Sequence, residues 1–367
     1  MVTRFDTSSV PPQGGYVAKQ CPVRAQNDAV IPGEPLPATP FQERLFKGGN
    51  DYEANVFAEL TTLHPSAVTV KGGGDDAEAA TLAAMKAGAL MILGGRLPAD
   101  EAGRRVGKPD VLLAAPGGGY QPVDVKHHMS IAVGPPGRQG MASRVSPLDA
   151  PWLGRATVDE TASARKHEDD VLQLAHYQRM LEAMGMAASD DRWGGIIGTE
   201  WQVVWYDLDA AVWRTPSVSQ KTKLRSTMER YDFEFEFRLD IIAVAEQHKR
   251  DPAVDLLVVP VKISECDGCP WWEFCRPVLE KAPGDISLLP RIGWPQWKFH
   301  RDRGVTNRAE LASLNVSSDA DRFAGMSMGT LQDQIDQARA ALGGEPVYRR
   351  RGIDAITGSA GRYRSRR

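Results

Sequence analysis

The feature that most constrains the fold is residues 108–128, where two short apolar runs flank a glycine-rich turn. Val111–Ala115 and Tyr120–Val125 have the length and apolar character of β-strands, and Pro116–Gly119 lies between them. Apolar runs separated by a short glycine-containing segment are typical of a β-hairpin. The stretch therefore predicts an antiparallel hairpin centred on Gly117.

Such a hairpin would place Asp110 opposite Asp124, because the two positions are equidistant from Gly117. Side chains alternate along a strand, so Asp124 and Lys126 share a face and Val125 points to the other. Two carboxylates and one ammonium group meeting at one place could hold a hard divalent cation and activate a water molecule. A surface hairpin with scattered charges remains the alternative, because Asp-x-Lys alone is common.

Residues 41–63 predict a helix that starts near Asn50 or Asp51 and carries Glu53 in its first turn. Its apolar stripe consists of Val56, Leu60 and Leu63. An acidic residue in the first turn stabilises the helix dipole, so Glu53 fits either a site residue or a purely structural charge.

Ala164–Met184 predicts a second helix, which ends at Gly185. Its buried stripe consists of Val171, Leu174, Leu181 and Met184. Gln173 and Tyr177 are four residues apart and therefore neighbours on one face. The pair is common by chance, and it gains meaning from its position downstream of Asp-x-Lys.

The segment between the hairpin and this helix has few recognisable signals. Residues 132–162 contain Gly134–Gly137 and Ser146-Pro147 and show little periodicity. We expect a long irregular connection that could overhang the site. His127 and His128 precede this segment. Because they point to opposite faces, at most one of them could reach the site, and a structural role is the expectation for them.

Four cysteines form a one-plus-three pattern. Cys266, Cys269 and Cys275 follow one another as Cys-x2-Cys-x5-Cys, and Cys21 lies far upstream. Clustering of this kind predicts a metal or cluster site. Four thiolates can bind a [4Fe–4S] cluster or tetrahedral zinc by count, but zinc ribbons usually supply two close pairs of cysteines. The one-plus-three spacing differs from that of a zinc ribbon, and both a cluster and zinc stay open at this point.

Composition sets broader limits. Hydrophobic residues make up 42% and charged residues 25% of the 367 residues, which is typical of a soluble globular protein with more than one unit. No apolar run approaches the roughly 18 residues of a membrane span, and the N-terminus lacks the apolar stretch of a secretory signal. We therefore expect a cytoplasmic protein without a membrane partner. The net charge of −3 gives no indication of nucleic-acid binding, although local patches can differ.

These motifs together resemble a known family. Pro109-Asp110, Asp124-Val125-Lys126 and Gln173-x-x-x-Tyr177 resemble the core of the RecB-like branch of PD-(D/E)xK nucleases, and Gly49 with Glu53 resembles its opening Gly-x-x-x-Glu motif. The cysteine order resembles the iron–sulfur members of that branch, in which one cysteine precedes the core and three follow it. The resemblance implies an α/β, restriction-endonuclease-like fold with a mixed central sheet flanked by helices and a small all-α C-terminal region.

The activity that the resemblance implies is metal-dependent hydrolysis of DNA. Asp110 and Asp124 would bind Mg²⁺ or Mn²⁺, with the carbonyl of Val125 as a further ligand and Glu53 assisting. Lys126 would orient the attacking water and offset charge on the scissile phosphate. Gln173 and Tyr177, on the second predicted helix, would position Lys126 or its strand. The [4Fe–4S] cluster held by Cys21, Cys266, Cys269 and Cys275 would act as a structural staple.

We expect four regions. Residues 1–40 carry the first cysteine, 41–280 form the nuclease domain, 281–345 form a helical region and 346–367 form a basic, disordered tail. Leu288–Leu314 resembles a helix-hairpin-helix, a motif that contacts nucleic-acid phosphates through backbone N–H groups. It has one glycine, Gly293, where the motif commonly has two, so a purely structural hairpin stays open.

The expected function is an exonuclease in DNA repair or recombination. Its expected substrate is DNA, single-stranded in preference to double-stranded, and its expected partner is a helicase or another repair protein. A different class also fits the sequence, namely a catalytically silent nucleic-acid-binding module that serves such a partner.

Overall fold

The structure is a computed structural model, and the chain divides after Leu257 into two compact units. The structure describes residues 5–31, 36–136, 141–189, 191–216 and 222–343. The predicted basic tail, 346–367, lies outside these residues. Among the described residues, no helix is both long enough and apolar enough to cross a bilayer.

The described residues form thirteen strands and nine α-helices. The strands are β1 Val68–Thr69, β2 Met91–Leu93, β3 Leu97–Asp100, β4 Arg105–Gly107, β5 Val111–Ala114, β6 Tyr120–Val125, β7 Ile131–Val133, β8 Ala142–Pro147, β9 Thr157–Ala164, β10 Trp193–Ile197, β11 Gln202–Asp207, β12 Trp213–Pro216 and β13 Thr222–Arg225. The helices are α1 Pro22–Val30, α2 Pro40–Leu63, α3 Gly74–Lys86, α4 Glu168–Ala183, α5 Thr227–Arg250, α6 Trp272–Glu280, α7 Trp294–Arg301, α8 Arg308–Ser313 and α9 Met328–Gly343.

The first unit is built on a nine-stranded mixed sheet in the order β1-β2-β5-β6-β10-β11-β8-β9-β7. β1 pairs with β2 and β6 with β10 in parallel, and the other neighbours are antiparallel. Alternation along β5 shows how the two faces are covered. Val111 and Leu113 belong to the cluster that contains α2, whereas Leu112 belongs to the cluster that contains the end of α4. The unit is therefore α/β, with helices on both faces of the sheet.

The central hairpin has the predicted register. β5 pairs with β6 as Val111 with Val123 and Ala114 with Tyr120, so the pairs are centred on Gly117. The turn also depends on Gly119, which has a φ of +74°. A Cβ atom at Gly119 would lie 2.1 Å from the carbonyl oxygen of Ala187. Only glycine satisfies both the backbone conformation and this close approach.

Two expectations about the surrounding elements are wrong. Residues 132–162 are not one irregular connection, because their described part forms most of β7, β8 and β9 at one end of the sheet. Their polar, weakly alternating sequence hid the strands, since such strands lack an apolar face. Helix α2 begins at Pro40 and not near Asn50, because Thr39 and Gln42 form a capping box ahead of an N1 proline.

The regular elements of the described second unit are helices. Their shared core includes Trp297 of α7, Leu311 of α8 and Leu331 of α9. The segment predicted as a helix-hairpin-helix contains α7 and α8, and Asn307 caps α8 with a reciprocal Glu310 contact. Two helices are thus present in this segment, and the helix-hairpin-helix motif and its phosphate binding stay predictions.

We expect Gly119→Ala to destabilise the protein by about 3 kcal/mol, because an ordinary side chain is strained at this φ and must also displace a backbone carbonyl. Gly118→Ala is the matched control. Gly118 also has a positive φ, +92°, but an added Cβ would meet nothing within 4 Å. Gly118→Ala should lower the free energy of unfolding by only about 1 kcal/mol. Urea unfolding of both variants measures the difference, and equal losses would contradict the role of the Ala187 contact.

Candidate active site

A cavity of about 570 Å³ opens beside the central hairpin in the first unit. It is lined by the turn that precedes α1, by α2, β4 and β6, and by one face of α4. All six predicted site residues and the predicted additional ligand line it, and these are Glu53, Asp110, Asp124, Val125, Lys126, Gln173 and Tyr177. Segments distant in sequence therefore converge on the end of the hairpin.

The two aspartates occupy the floor of this cavity in different ways. Asp110 directly precedes β5, and its Oδ2 accepts a hydrogen bond of 2.7 Å from the backbone N–H of Val125. Asp124 is only 1% exposed. Neither of its oxygens has a well-formed hydrogen bond from any described residue, although Lys126 Nζ lies 2.5 Å from Oδ2. A buried carboxylate with open acceptor positions is suited to a cation.

The electrostatics of Asp110 follow from this arrangement. Burial raises the pKa of Asp110 well above its ordinary value, and the charge of Asp124, a hydrogen bond between the two carboxyl groups and then the charge of Glu53 raise it further. The hydrogen bond from the N–H of Val125 lowers the pKa of Asp110, but by less than these effects raise it. Without a metal, burial and repulsion therefore make ionisation of Asp110 less favourable than it is in water. A divalent cation would neutralise the same repulsion, so the acidic residues present fit Mg²⁺ or Mn²⁺.

Lys126 is held as a charged ammonium group. Burial works to lower its pKa, but the carboxylates of Asp124 and Asp110 outweigh that effect, so the pKa is raised. Its Nζ also donates to Gln173 Oε1 at 3.3 Å. The ammonium group is thus fixed between β6 and α4.

Gln173 and Tyr177 connect α4 to the segments that directly precede and follow the hairpin. Gln173 Nε2 donates to the hydroxyl of Tyr177 at 2.7 Å, and that hydroxyl donates to the carbonyl of Lys108 at 3.1 Å. Burial raises the pKa of Tyr177 well above its ordinary value, so the hydroxyl keeps its proton. Gly107 allows the approach, since a Cβ there would lie 2.8 Å from the Tyr177 ring. One helix face therefore positions Lys126 and the segment before Asp110.

The sequence did not reveal the contribution of the N-terminal segment. Lys19 Nζ donates to Gln173 Oε1 at 3.2 Å and to the carbonyl of Asp169 at 3.1 Å. It also lies 4.1 Å from the ring centroid of Tyr16, which lines the cavity. Residues 1–40 show no periodicity that would place Lys19 beside α4, so only the tertiary structure identifies it.

The adjacent histidines separate as the alternation predicts. His127 lines the cavity and stacks on Tyr52, with ring centroids 4.8 Å apart. His128 does not line the cavity among the described residues, and its Nε2 lies 3.0 Å from Asp170 Oδ2.

The four cysteines are all described, and no disulfide joins them. Cys21 directly precedes α1 in the first unit. In the second unit, Cys266 and Cys269 lie at a short 3₁₀ turn and Cys275 lies in α6. Cys266 is buried, and its Sγ accepts the N–H of Ile263 at 3.4 Å. One backbone N–H directed at a buried sulfur is an environment that cluster ligands also have, and the cluster stays a prediction.

Comparisons with protein-family models, curated proteins and solved structures returned no match. The chemistry of the cavity therefore has to be inferred from its own geometry. That geometry combines two neighbouring carboxyl groups, an ammonium group and a helix that holds them in place.

We expect Asp110→Asn to stabilise the metal-free protein, by more at about pH 8 than at about pH 5. The folded pKa of Asp110 is raised, so its contribution to stability is present at low pH and is lost as the pH rises through that pKa. An amide oxygen can still accept the Val125 N–H. The measurement is the free energy of unfolding by urea in EDTA, for wild type and Asp110→Asn at both pH values.

The matched control for this variant is Asp51→Asn. Asp51 is an exposed residue of α2 that pairs only at the surface with Lys47. It should change the unfolding free energy by less than about 1 kcal/mol, because an exposed ion pair contributes little to stability. An Asp110→Asn protein less stable than wild type at the higher pH would contradict the repulsion between the aspartates.

Proposed function

We propose that the protein is a metal-dependent DNA nuclease of the RecB-like PD-(D/E)xK type. The observation that carries the proposal is the buried carboxylate of Asp124, whose oxygens have open acceptor positions while Asp110 and Lys126 lie beside it. A structural ion pair would need neither a second carboxyl group nor a cavity. The proposed biological setting is DNA repair or recombination, together with a helicase or another repair protein.

In this proposal Asp110 and Asp124 hold Mg²⁺ or Mn²⁺, and the carbonyl of Val125 and the carboxylate of Glu53 complete the environment. A metal ion held there would lower the pKa of a bound water and neutralise charge on the phosphate. Lys126 presents a fixed positive charge to the scissile phosphate and orients the water. Gln173 keeps the Lys126 ammonium in place through its 3.3 Å hydrogen bond.

The rim of the cavity supports a single-stranded substrate. Tyr16 and Phe46 line the cavity and are each more than half exposed, and Leu45 lies beside them. Exposed aromatic rings next to a phosphate-binding site can stack on unpaired bases, which a duplex keeps inside its helix. We therefore propose single-stranded DNA as the preferred substrate.

Lys126→Ala should lower the rate of DNA cleavage by at least about 100-fold, because it removes a preorganised charge from the transition state. DNA binding should change little. The measurement uses end-labelled single- and double-stranded DNA with Mg²⁺ or Mn²⁺, beside a binding assay in Ca²⁺ or EDTA. The wild type should lose cleavage in EDTA and recover it when the metal is restored.

Lys47→Ala is the matched control, since Lys47 is an exposed α2 lysine outside the cavity lining. It should cleave at the wild-type rate. Wild-type cleavage by Lys126→Ala would contradict the assigned chemistry. DNA binding by the wild type without cleavage in either metal would instead favour the silent binding module.

We also propose a structural [4Fe–4S] cluster, and its support is the cysteine spacing together with the buried, N–H-bonded Cys266. Protein purified without oxygen should be brown and contain about four iron and four sulfide ions per chain. Cys21→Ala should remove the colour, and Cys269→Ala should do the same. A colourless preparation that contains zinc would show that the cysteines bind zinc.

A further inference from the structure

A second group of potential ligands lies next to the candidate active site but does not line its cavity. It consists of His128, three residues after the end of β6, His167, directly before α4, and Asp170, in the first turn of α4. One nitrogen from each imidazole and one carboxylate oxygen lie within 4.8 Å of one another. No residue of this group is among the predicted site residues.

The backbone around this group orients both imidazoles. The carbonyl oxygen of Met129 lies 3.2 Å from His167 Nε2 and 3.4 Å from His128 Nδ1. A carbonyl only accepts hydrogen bonds, so these two nitrogens are the protonated ones. A neutral ring held in this orientation has its lone pair on Nε2 in His128 and on Nδ1 in His167. Metal-binding histidines characteristically donate their other N–H to a carbonyl or carboxylate in this way.

Asp170 gives the second, independent observation. It is only 7% exposed, and its Oδ2 has no well-formed hydrogen bond from any described residue. Lys126 and Lys19, whose charges act on Asp170, have partners elsewhere, since Lys126 contacts Asp124 and Lys19 donates to Gln173. The open oxygen of Asp170 is therefore available to a cation.

The separation of His128 and Asp170 also fits a shared cation. His128 Nε2 lies 3.0 Å from Asp170 Oδ2. A neutral imidazole lone pair and a carboxylate oxygen at that distance repel each other unless a proton or a metal ion lies between them. Two ligands on one tetrahedral zinc ion, with bonds of about 2.0–2.1 Å, are separated by about 3.3 Å. The observed separation is close to that value.

We propose that His128, His167 and Asp170 form a second metal site, which binds Zn²⁺ or a similar borderline transition-metal ion. Two imidazoles and one carboxylate suit such an ion better than Mg²⁺, which prefers oxygen ligands. Both histidines are partly exposed, so the fourth position is open to water. The ion would join the end of β6 to the start of α4, the two elements that hold Lys126 and Gln173.

The test measures zinc in the full-length protein and needs neither DNA nor cleavage, so it is independent of the proposed nuclease function. Wild type, His128→Gln and His167→Gln are loaded with zinc and desalted, and the zinc that remains is counted by mass spectrometry. The wild type should retain about one zinc ion more per chain than either variant. Zinc bound by the cysteines is the same in all three proteins and cancels.

His248→Gln is the matched control, because His248 is a partly buried histidine of α5 whose Nδ1 contacts the carbonyl of Val254. It should retain as much zinc as the wild type. In a competition titration, each site variant should bind the additional zinc at least about 10-fold more weakly. Equal zinc content in wild type and both site variants would overturn the proposal and leave a proton between His128 and Asp170.

A second measurement uses the wild type alone, so it does not depend on how well the variants fold. Diethyl pyrocarbonate modifies accessible imidazole nitrogens, and peptide mapping reports each histidine separately. Zinc should protect His128 and His167 and leave His248 unaffected. Modification of His128 and His167 that is the same with and without zinc would also overturn the proposal.

Discussion

The contact on which the candidate site depends is the buried pair of Asp124 and Lys126. Taking these charges out of water costs several kcal/mol per ion, and one partner alone would leave an uncompensated buried charge. The pair is tolerated because Gln173 also accepts from the ammonium group and because the carboxylate faces a cavity. Buried ionised groups whose acceptor positions are not all used lower the stability of the fold. The same arrangement is suited to binding a phosphate or a metal ion.

The sheet and α4 share the task of holding this pair. The hairpin of β5 and β6 fixes the separation of the two aspartates, because its register is centred on Gly117. Helix α4 fixes Lys126 through Gln173 and fixes the segment before Asp110 through Tyr177. His167 directly precedes the same helix and Asp170 lies in its first turn, so the proposed second metal site would act on the element that organises the candidate active site.

Local sequence predicted the parts of this arrangement that depend on short-range geometry. The register of the hairpin follows from its glycine turn and from strand alternation, and Gln173 and Tyr177 are neighbours because of helical periodicity. Prediction was wrong where the pattern was weak. The described parts of 132–162 pair at one end of the sheet as polar strands, and α2 extends back to Pro40 because of its capping box.

The sequence by itself determined which residues could do chemistry, namely Asp110, Asp124 and Lys126, since their spacing along two strands is a local property. Only the tertiary structure decided which distant groups join them. Lys19 reaches Gln173, and His128 meets Asp170, through contacts between segments with no shared periodicity. Such contacts depend on how strands and helices pack, and packing is set by the whole core and not by any one stretch of sequence.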